Sequence, residues 1–421
     1  MTSPSSASDE QRASDEQRAS DERRATAWAC AYHFLLLAAY YTIRPLRDAM
    51  GLRGNVKTLP WLFAGTLAAI VVFTPIFAAL VERLPRRRFV PLVYHFFAAN
   101  LVAFFVVLHG SPSTAAARAF FIWTSVFNLF AVSVFWGFMA DRFDRAAAAR
   151  RFGLIALGGT VGAMAGAAIT SLLATRLGAT NLTLLAALLL EGAVVCFYRI
   201  AATGELRARD TDIPRKPVWH FVVVLARSPY LLAIAGYMFL YPITSTFAYF
   251  VQAEFVQSAV HGDAARTVLF ARMDLAVNLA SVVLQATMTS FLLRRAGVTA
   301  TLALLPVVTL AGFGALAVHP TFALIIGFQV VRRTVDYFAA RPARELCYVV
   351  VGREEKYAAK SFIDTFVYRG ADAVGAGTFG IAGASVALVA LPLCLVWLGV
   401  AIFLGGRQRR LASAASAAPH P

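Results

Sequence analysis

Residues 25–48 read ATAWACAYHFLLLAAYYTIRPLRD. From Ala25 to Ile43 there is no Asp, Glu, Lys or Arg; then Arg44, Arg47 and Asp48 arrive within five positions. About twenty apolar residues wound into a helix cover roughly 30 Å, the hydrocarbon thickness of a bilayer. Such a helix crosses a membrane, and the charges at its end have to meet water, a counter-ion or a ligand.

The same pattern recurs along the chain. Apolar segments near 25–43, 60–82, 89–109, 118–140, 152–174, 180–200, 229–255, 267–293, 298–318, 321–340, 361–381 and 384–404 predict twelve transmembrane helices. Composition agrees: 59% hydrophobic and 15% charged residues leave too little polar surface for a soluble chain of 421 residues. The formal charge of +16 raises the question of nucleic-acid binding, and its distribution answers it. Lys and Arg divide 30 to 7 between the tails and loops of the two sides of the predicted membrane. That bias sets orientation, with both termini cytoplasmic, and excludes a nucleic-acid partner as its cause. Arginine supplies 35 of the 39 basic residues, which fits a GC-rich bacterial genome. The expected location is therefore a bacterial cytoplasmic membrane.

Residues 1–24, built on an ASDEQR repeat, read as a disordered charged tail. Residues 25–200 form an N-terminal six-helix bundle and 201–228 a cytoplasmic linker ending in an interfacial helix. Residues 229–405 form a second six-helix bundle and 406–421 a cytoplasmic tail. An all-α 6+6 division with cytoplasmic termini is the major facilitator plan, in which two bundles rock about a midplane site. The basic turn VERLPRRRF, Val81 to Phe89, suits that plan. Gly158, Gly162 and Gly166 make a doubled small-xxx-small pattern, read as close helix packing in preference to a hinge. Cys30, Cys196, Cys347 and Cys394 have neither disulfide nor metal-ligand spacing.

Polar residues inside the spans form stripes. Asp274, Asn278, Ser281 and Gln285 fall at i, i+4, i+7 and i+11, one face of the eighth span. Asp274 reads either as a protonatable coupling group or as the charge partner of an interior arginine. In the first span His33, Tyr40, Arg44 and Arg47 share a face. Arginine there, on the side that should be poor in basic residues, reads as an anion contact, with interfacial snorkelling as the competing account. Gln329, Arg333 and Asp336 share a face of the tenth span, and Arg332 and Asp336 are i, i+4 neighbours. Tyr368 and Asp372 lie on one face of the eleventh span with Arg369 beside them. In the seventh, Tyr237, Tyr241, Thr244, Ser245, Tyr249 and Gln252 offer an aromatic and hydroxyl face suited to stacking a ring. By analogy with the major facilitator plan, the first, fourth, seventh and tenth spans line a central cavity. Asn128, Ser133 and Trp136 would join it from the fourth.

Five blocks carry a resemblance across nearly all the spans. They are YYTIRPLRDAMG (Tyr40 to Gly51), SVFNLFAVSVFWGFMAD (Ser125 to Asp141), SPYLLAIAGYMFLYPITSTFAYF (Ser228 to Phe250), RRTVDYFAARPARE (Arg332 to Glu345) and GREEKYAAKSFIDTFVYRGAD (Gly352 to Asp372). At these residues the chain resembles a short bacterial member of the ATP/ADP antiporter (nucleotide transport protein) family. The resemblance implies exchange of a nucleotide-like solute, with Arg47 and Asp48 matching the family's basic residue followed by Asp. The family's glutamate in the fourth span has no counterpart, because no Glu lies between Glu82 and Glu191.

The expectation is a secondary transporter of an organic anion, with no bound cofactor, no metal and no covalent chemistry, since no Walker motif or nucleophile constellation is present. Arg44, Arg47 and Arg333, with Tyr40, Asn128, Trp136, Tyr237, Tyr241 and Gln329, are the candidate substrate contacts. Asp48, Asp274, Asp336, Arg369 and Asp372 are candidates for coupling or charge pairing. Two alternatives stay open: a proton-coupled carrier using Asp274, and a membrane sensor or scaffold that has lost transport.

Overall fold

A computed structural model describes residues 4–109, 113–203, 223, 225, 227–352, 359–360 and 362–417, and among them all regular structure is helical. The central linker and its interfacial segment lie largely outside the described residues. The long helices are α1 (Pro4–Gly51), α2 (Leu59–Arg83), α3 (Arg86–Leu108), α4 (Thr114–Arg142), α5 (Arg145–Leu177), α6 (Leu182–Ala201), α7 (Pro229–Ala259) and α8 (Asp263–Thr287). A short α9 (Thr289–Arg295) leads into α10 (Gly297–Val318). Then α11 (Phe322–Val335) passes through a π-helical turn, Asp336–Ala340, into α12 (Arg341–Cys347). A second π turn, Ile363–Val367, opens α13 (Tyr368–Ala382), and α14 (Val386–Ala417) ends the chain's described helices.

The starts of several spans are set by local chemistry. Ser113, Asp144, Ser228 and Thr321 each accept a hydrogen bond from the backbone N–H three residues on, which satisfies a donor that the first helical turn leaves open. Pro229, directly after Ser228, has no N–H to lose at that position. The charged repeat is not a disordered tail: α1 begins at Pro4 and runs through it. Ala, Gln, Glu and Arg are good helix formers, so the repeat extends a helix that the apolar segment already stabilises.

Nine helices among the described residues are long and apolar enough to cross a membrane: α2 to α8, α10 and α14. The chain is thus a multi-pass membrane protein. Of the helices outside that set, α1, α11 and α13 carry most of the candidate charges. Their tyrosines, arginines and aspartates lower the hydropathy, and π turns interrupt two of the apolar runs.

The chain divides into two compact units. The first holds Met1–Met50, Ala69–Asp212 and Asp263–Arg272; the second holds Gly51–Ala68, Ile213–Gly262 and Met273–Pro421. The division is not contiguous in sequence, for α2 and α8 each contribute to both. In the first unit, α1 and α5 approach to backbone contact. A Cβ on Gly158, Gly162 or Gly166 would collide with the backbone of Cys30, Phe34 or Ala38. Thr170 Oγ1 donates to Thr42 O at 3.0 Å across the same seam. The glycine series is therefore a packing device, worth its cost because helices in lipid associate chiefly by close van der Waals fit. Around it Tyr32, Tyr94, Phe135 and Phe138 interlock edge-on, with Tyr94 Oη donating to Ala131 O at 2.9 Å. The core of the second unit gathers Tyr237, Leu302, Leu305, Tyr348 and Trp397.

Candidate functional site

In the first unit the charges cluster at the end of α1. Pro45 removes one backbone N–H there and loosens the helix ladder between the two arginines. The Arg44 guanidinium lies 5.5 Å from the Tyr41 ring. Arg47 sits 3.9 Å above the Phe121 ring of α4, and its Nη1 donates to Asp48 Oδ1 at 2.9 Å. Asp48 is buried. The Nε–H of Arg47 is also buried and meets no acceptor, so part of its donor fork is unspent. Tyr40 is half-buried against Tyr41 and Phe127, which places Asn128 of α4, also half-buried, at about the same level. Trp136 is elsewhere: its ring meets His33 and Phe152. His33 precedes Arg47 by fourteen residues, about 21 Å of helix, so Trp136 does not join the arginines.

In the second unit α7, α8, α11 and α13 bring together a larger set. Arg332 is 2% exposed, lies 5.5 Å from the Tyr241 ring and donates from Nη1 to Ser245 Oγ at 2.8 Å. Asp336, also 2% exposed, accepts from Tyr241 Oη at 3.0 Å and from Arg341 Nε at 2.9 Å. Asp336 and Arg341 are five residues apart, a spacing that an α-helix splays to different faces. The π turn, with its i to i+5 repeat, stacks them. Arg333 points the other way, donating from Nη2 to Asp274 Oδ1 of α8 at 2.7 Å. The side chain of Asp274 is 3% exposed and that of Arg333 is 20% exposed. Along α8, Asn278 and Ser281 are buried with Nδ2 and Oγ unpartnered, while Gln285 is exposed. On α13, Arg369 lies 3.6 Å from Asp372, which accepts from Thr246 Oγ1 at 3.3 Å.

The face expected to carry Gln329, Arg333 and Asp336 is thus split. Arg332 and Asp336 turn to α7 and Arg333 turns to α8; Gln329 is buried one turn before Arg333. Tyr237 does not offer a stacking face. Its hydroxyl donates to Leu302 O at 3.2 Å and its ring packs on Trp397. Tyr241 stacks, but its partner is the guanidinium of Arg332.

Three features lie outside the candidate contacts that the sequence offered. Arg341 reaches Asp336 only because of the π turn. His33 is buried, stacked on Phe135 at 4.4 Å, with Nδ1 2.9 Å from Ile155 O. Arg86, from the basic turn, donates to Asp141 at 2.6 Å and ties the start of α3 to the end of α4. The RRR run on one side and the Asp closing the fourth span were the available signal. Among the described residues no group of His, Cys, Asp or Glu side chains could hold a metal ion.

No family profile and no curated protein matches the chain. Solved structures do. The crystal structure of the nucleoside transporter NupG aligns at 12% identity with a TM-score of 0.60, over 93% of this chain and 98% of its own. The POT family transporter PepTSo gives 12% and 0.60, over 94% and 99%. A bacterial homologue of the iron transporter ferroportin, in an inward-facing state, gives 11% and 0.63, over 91% and 98%. At these identities the likeness is one of fold: the chain is all-helical among the described residues and shares the architecture of these membrane transporters.

Proposed function

We propose that the protein is a secondary transporter of an organic anion, nucleotide-like or otherwise phosphorylated, working by alternating access through twelve membrane helices. The observation that carries this reading is the Arg333–Asp274 pair. A carboxylate that is almost fully enclosed holds a guanidinium that is not. Taking both charges from water costs several kcal/mol per ion, about what a good pairing returns, so the pair is poised for exchange. A substrate phosphate or carboxylate presents the same paired oxygens as Asp274 and competes for the same fork. Arg47, with an unspent buried N–H, and Arg44 supply a second basic group in the other unit. The fold likeness to three transporters supports the class, and the resemblance to ATP/ADP antiporters supports the substrate.

A protonatable Asp274 is the second reading, motivated by the enclosure of its side chain in the same pair. Once an anion takes Arg333, the released carboxylate needs a proton or another cation, so exchange and proton coupling meet at one residue.

The test is a ligand-stabilisation screen on the purified protein with nucleotides, phosphosugars and carboxylates, because a ligand that binds the folded state raises Tm by mass action. Nucleotides or phosphosugars are expected to raise Tm, and the shift should vanish in Arg47→Ala while that variant still elutes as a folded species. Arg333→Lys keeps a charge for Asp274 but loses the fork, and is expected to weaken the shift. A carboxylate-only response would remove the phosphorylated solute. If no anion stabilises the protein, the anion site is lost with it. Uptake in Asp274→Asn that ignores a collapsed proton gradient would exclude the proton reading.

A further inference from the structure

The second unit carries a groove on its outer surface that the transport reading does not use. It has a volume of about 450 Å³ and lies between α7 and α14, walled by Pro229, Ala233 and Gly236 on one side and Gly399, Val400 and Phe403 on the other. It is wholly apolar, and neighbouring Leu232 and Val396 are more than half exposed. Tyr237 and Tyr241 of α7 are buried, on the inner side of the helix.

The charge beside the groove is not evenly spread. Gly236 faces Val400, while Tyr237 and Tyr241 further along α7 meet Trp397, earlier in α14, so the two helices run in opposite directions. Seven residues back from Gly236 lies Pro229, and seven residues on from Val400 lies Arg407. Each is displaced about 10 Å along its helix toward the same end. Arg407 therefore stands level with Pro229, where the groove ends. Positions 396, 400, 403, 407 and 410 are spaced by four, three, four and three, so Arg407 and Arg410 continue the face of α14 that walls the groove. Arg407 leans back over the Phe403 ring at 5.7 Å, and both arginines are exposed. Arg227 is exposed directly before the start of α7, at the same end.

An apolar trough that opens to lipid and ends at clustered guanidinium groups matches an amphiphile with one long chain and an anionic head. We infer that this groove binds an anionic phospholipid, with an acyl chain between α7 and α14 and the phosphate at Arg407 and Arg410, Arg227 adding charge from the other helix. Arginine fits a phosphate with paired donors, and basic residues at the membrane surface attract anionic headgroups in any case. The groove adds a place for the chain, which converts general attraction into a site.

Native mass spectrometry of the detergent-purified full chain, exposed in parallel to phosphatidylglycerol and phosphatidylcholine of the same acyl composition, tests this. One retained phosphatidylglycerol and little phosphatidylcholine is the expected result. Arg407→Gln with Arg410→Gln, both at exposed positions, should weaken retention of phosphatidylglycerol roughly tenfold or more. Gly399→Leu points a side chain into space where a Cβ meets nothing within 4 Å, so it fills the groove without disturbing the fold, and it should displace the lipid with the arginines intact. Equal retention of the two lipids overturns the headgroup assignment. Unchanged retention in Gly399→Leu overturns the groove. Displacement of phosphatidylglycerol by inorganic phosphate at millimolar concentration would make this a simple anion site and overturn the lipid proposal.

Discussion

The two units solve the problem of arginine in a membrane differently. At the end of α1, Arg47 is held by its sequence neighbour Asp48 and by the face of Phe121, with one buried N–H left over. In the second unit, Arg332, Arg333 and Arg341 are gripped by α7, α8 and a π turn: Ser245 and Tyr241 on the first, Asp274 on the second, Asp336 on the third. The first arrangement is local, and the second is spread over several helices. A local arrangement can change without moving its unit, whereas a distributed one ties any change at its arginines to the packing of several helices. The basic group in the second unit is accordingly the one whose loss should reach furthest.

Removal of Arg333 breaks that comparison most directly. Arg333→Ala takes the 2.7 Å partner from an enclosed Asp274, and removing one member of a buried ion pair costs about 3–5 kcal/mol. Thermal unfolding in detergent should show a large fall in Tm. Adding Asp274→Asn should recover much of it, since the neutral side chain needs no counter-ion. Equal Tm in the single and double variants would mean that the pair does not hold the unit together. Arg47→Ala, by contrast, should change Tm less than Arg333→Ala does.

Packing sharpens the comparison next. Gly162 of α5 lies on the backbone of Phe34, while Gly377 of α13 has open space where a Cβ would go. Gly162→Ala must push α1 and α5 apart, and forcing even one extra carbon into a filled contact costs about 1–3 kcal/mol. Gly377→Ala should be neutral or slightly stabilising, because alanine restricts the unfolded chain and favours the helix by up to about 1 kcal/mol. A melting comparison of the two alanine variants checks the contrast, and equal effects would refute the view that α1 and α5 meet backbone to backbone.

The sequence made the membrane class plain, since about twenty apolar residues have few other uses. The stripe of Asp274, Asn278 and Ser281 was legible too, because α8 is a regular helix through that region and period predicts face. Gln285 ended exposed, as the polar face runs out of the unit's interior. What escaped was whatever departed from α periodicity or depended on a partner helix. The Asp336–Arg341 pair needs five residues per step, which no α template searches for. Arg332 and Arg333 are adjacent, and which one turned to α7 was decided by Ser245 and Tyr241, 87 and 91 residues away. Tyr237 and Tyr241 look alike in sequence, one turn apart on one helix. Only the positions of Leu302 and Asp336 make the first a core residue and the second part of a charge network.

That last difference gives the finest test. Tyr237→Phe removes a hydroxyl whose acceptor is a backbone carbonyl, and Tyr241→Phe removes one whose acceptor is a buried carboxylate. Hydrogen bonds to charged groups contribute about 1.5–3 kcal/mol in soluble proteins, against about 0.5–1.5 for neutral ones. Within membranes side-chain hydrogen bonds average nearer 0.6 kcal/mol, which compresses both figures. Tyr241→Phe should therefore lower Tm more than Tyr237→Phe, by a small but resolvable margin. It should also act on ligand response, because Asp336 would keep Arg341 alone and the ring would still lie under Arg332. If Tyr237→Phe proves the more damaging of the two, the charge network is less central to the second unit than the packing around Trp397, and the distributed grip on its arginines is looser than the distances imply.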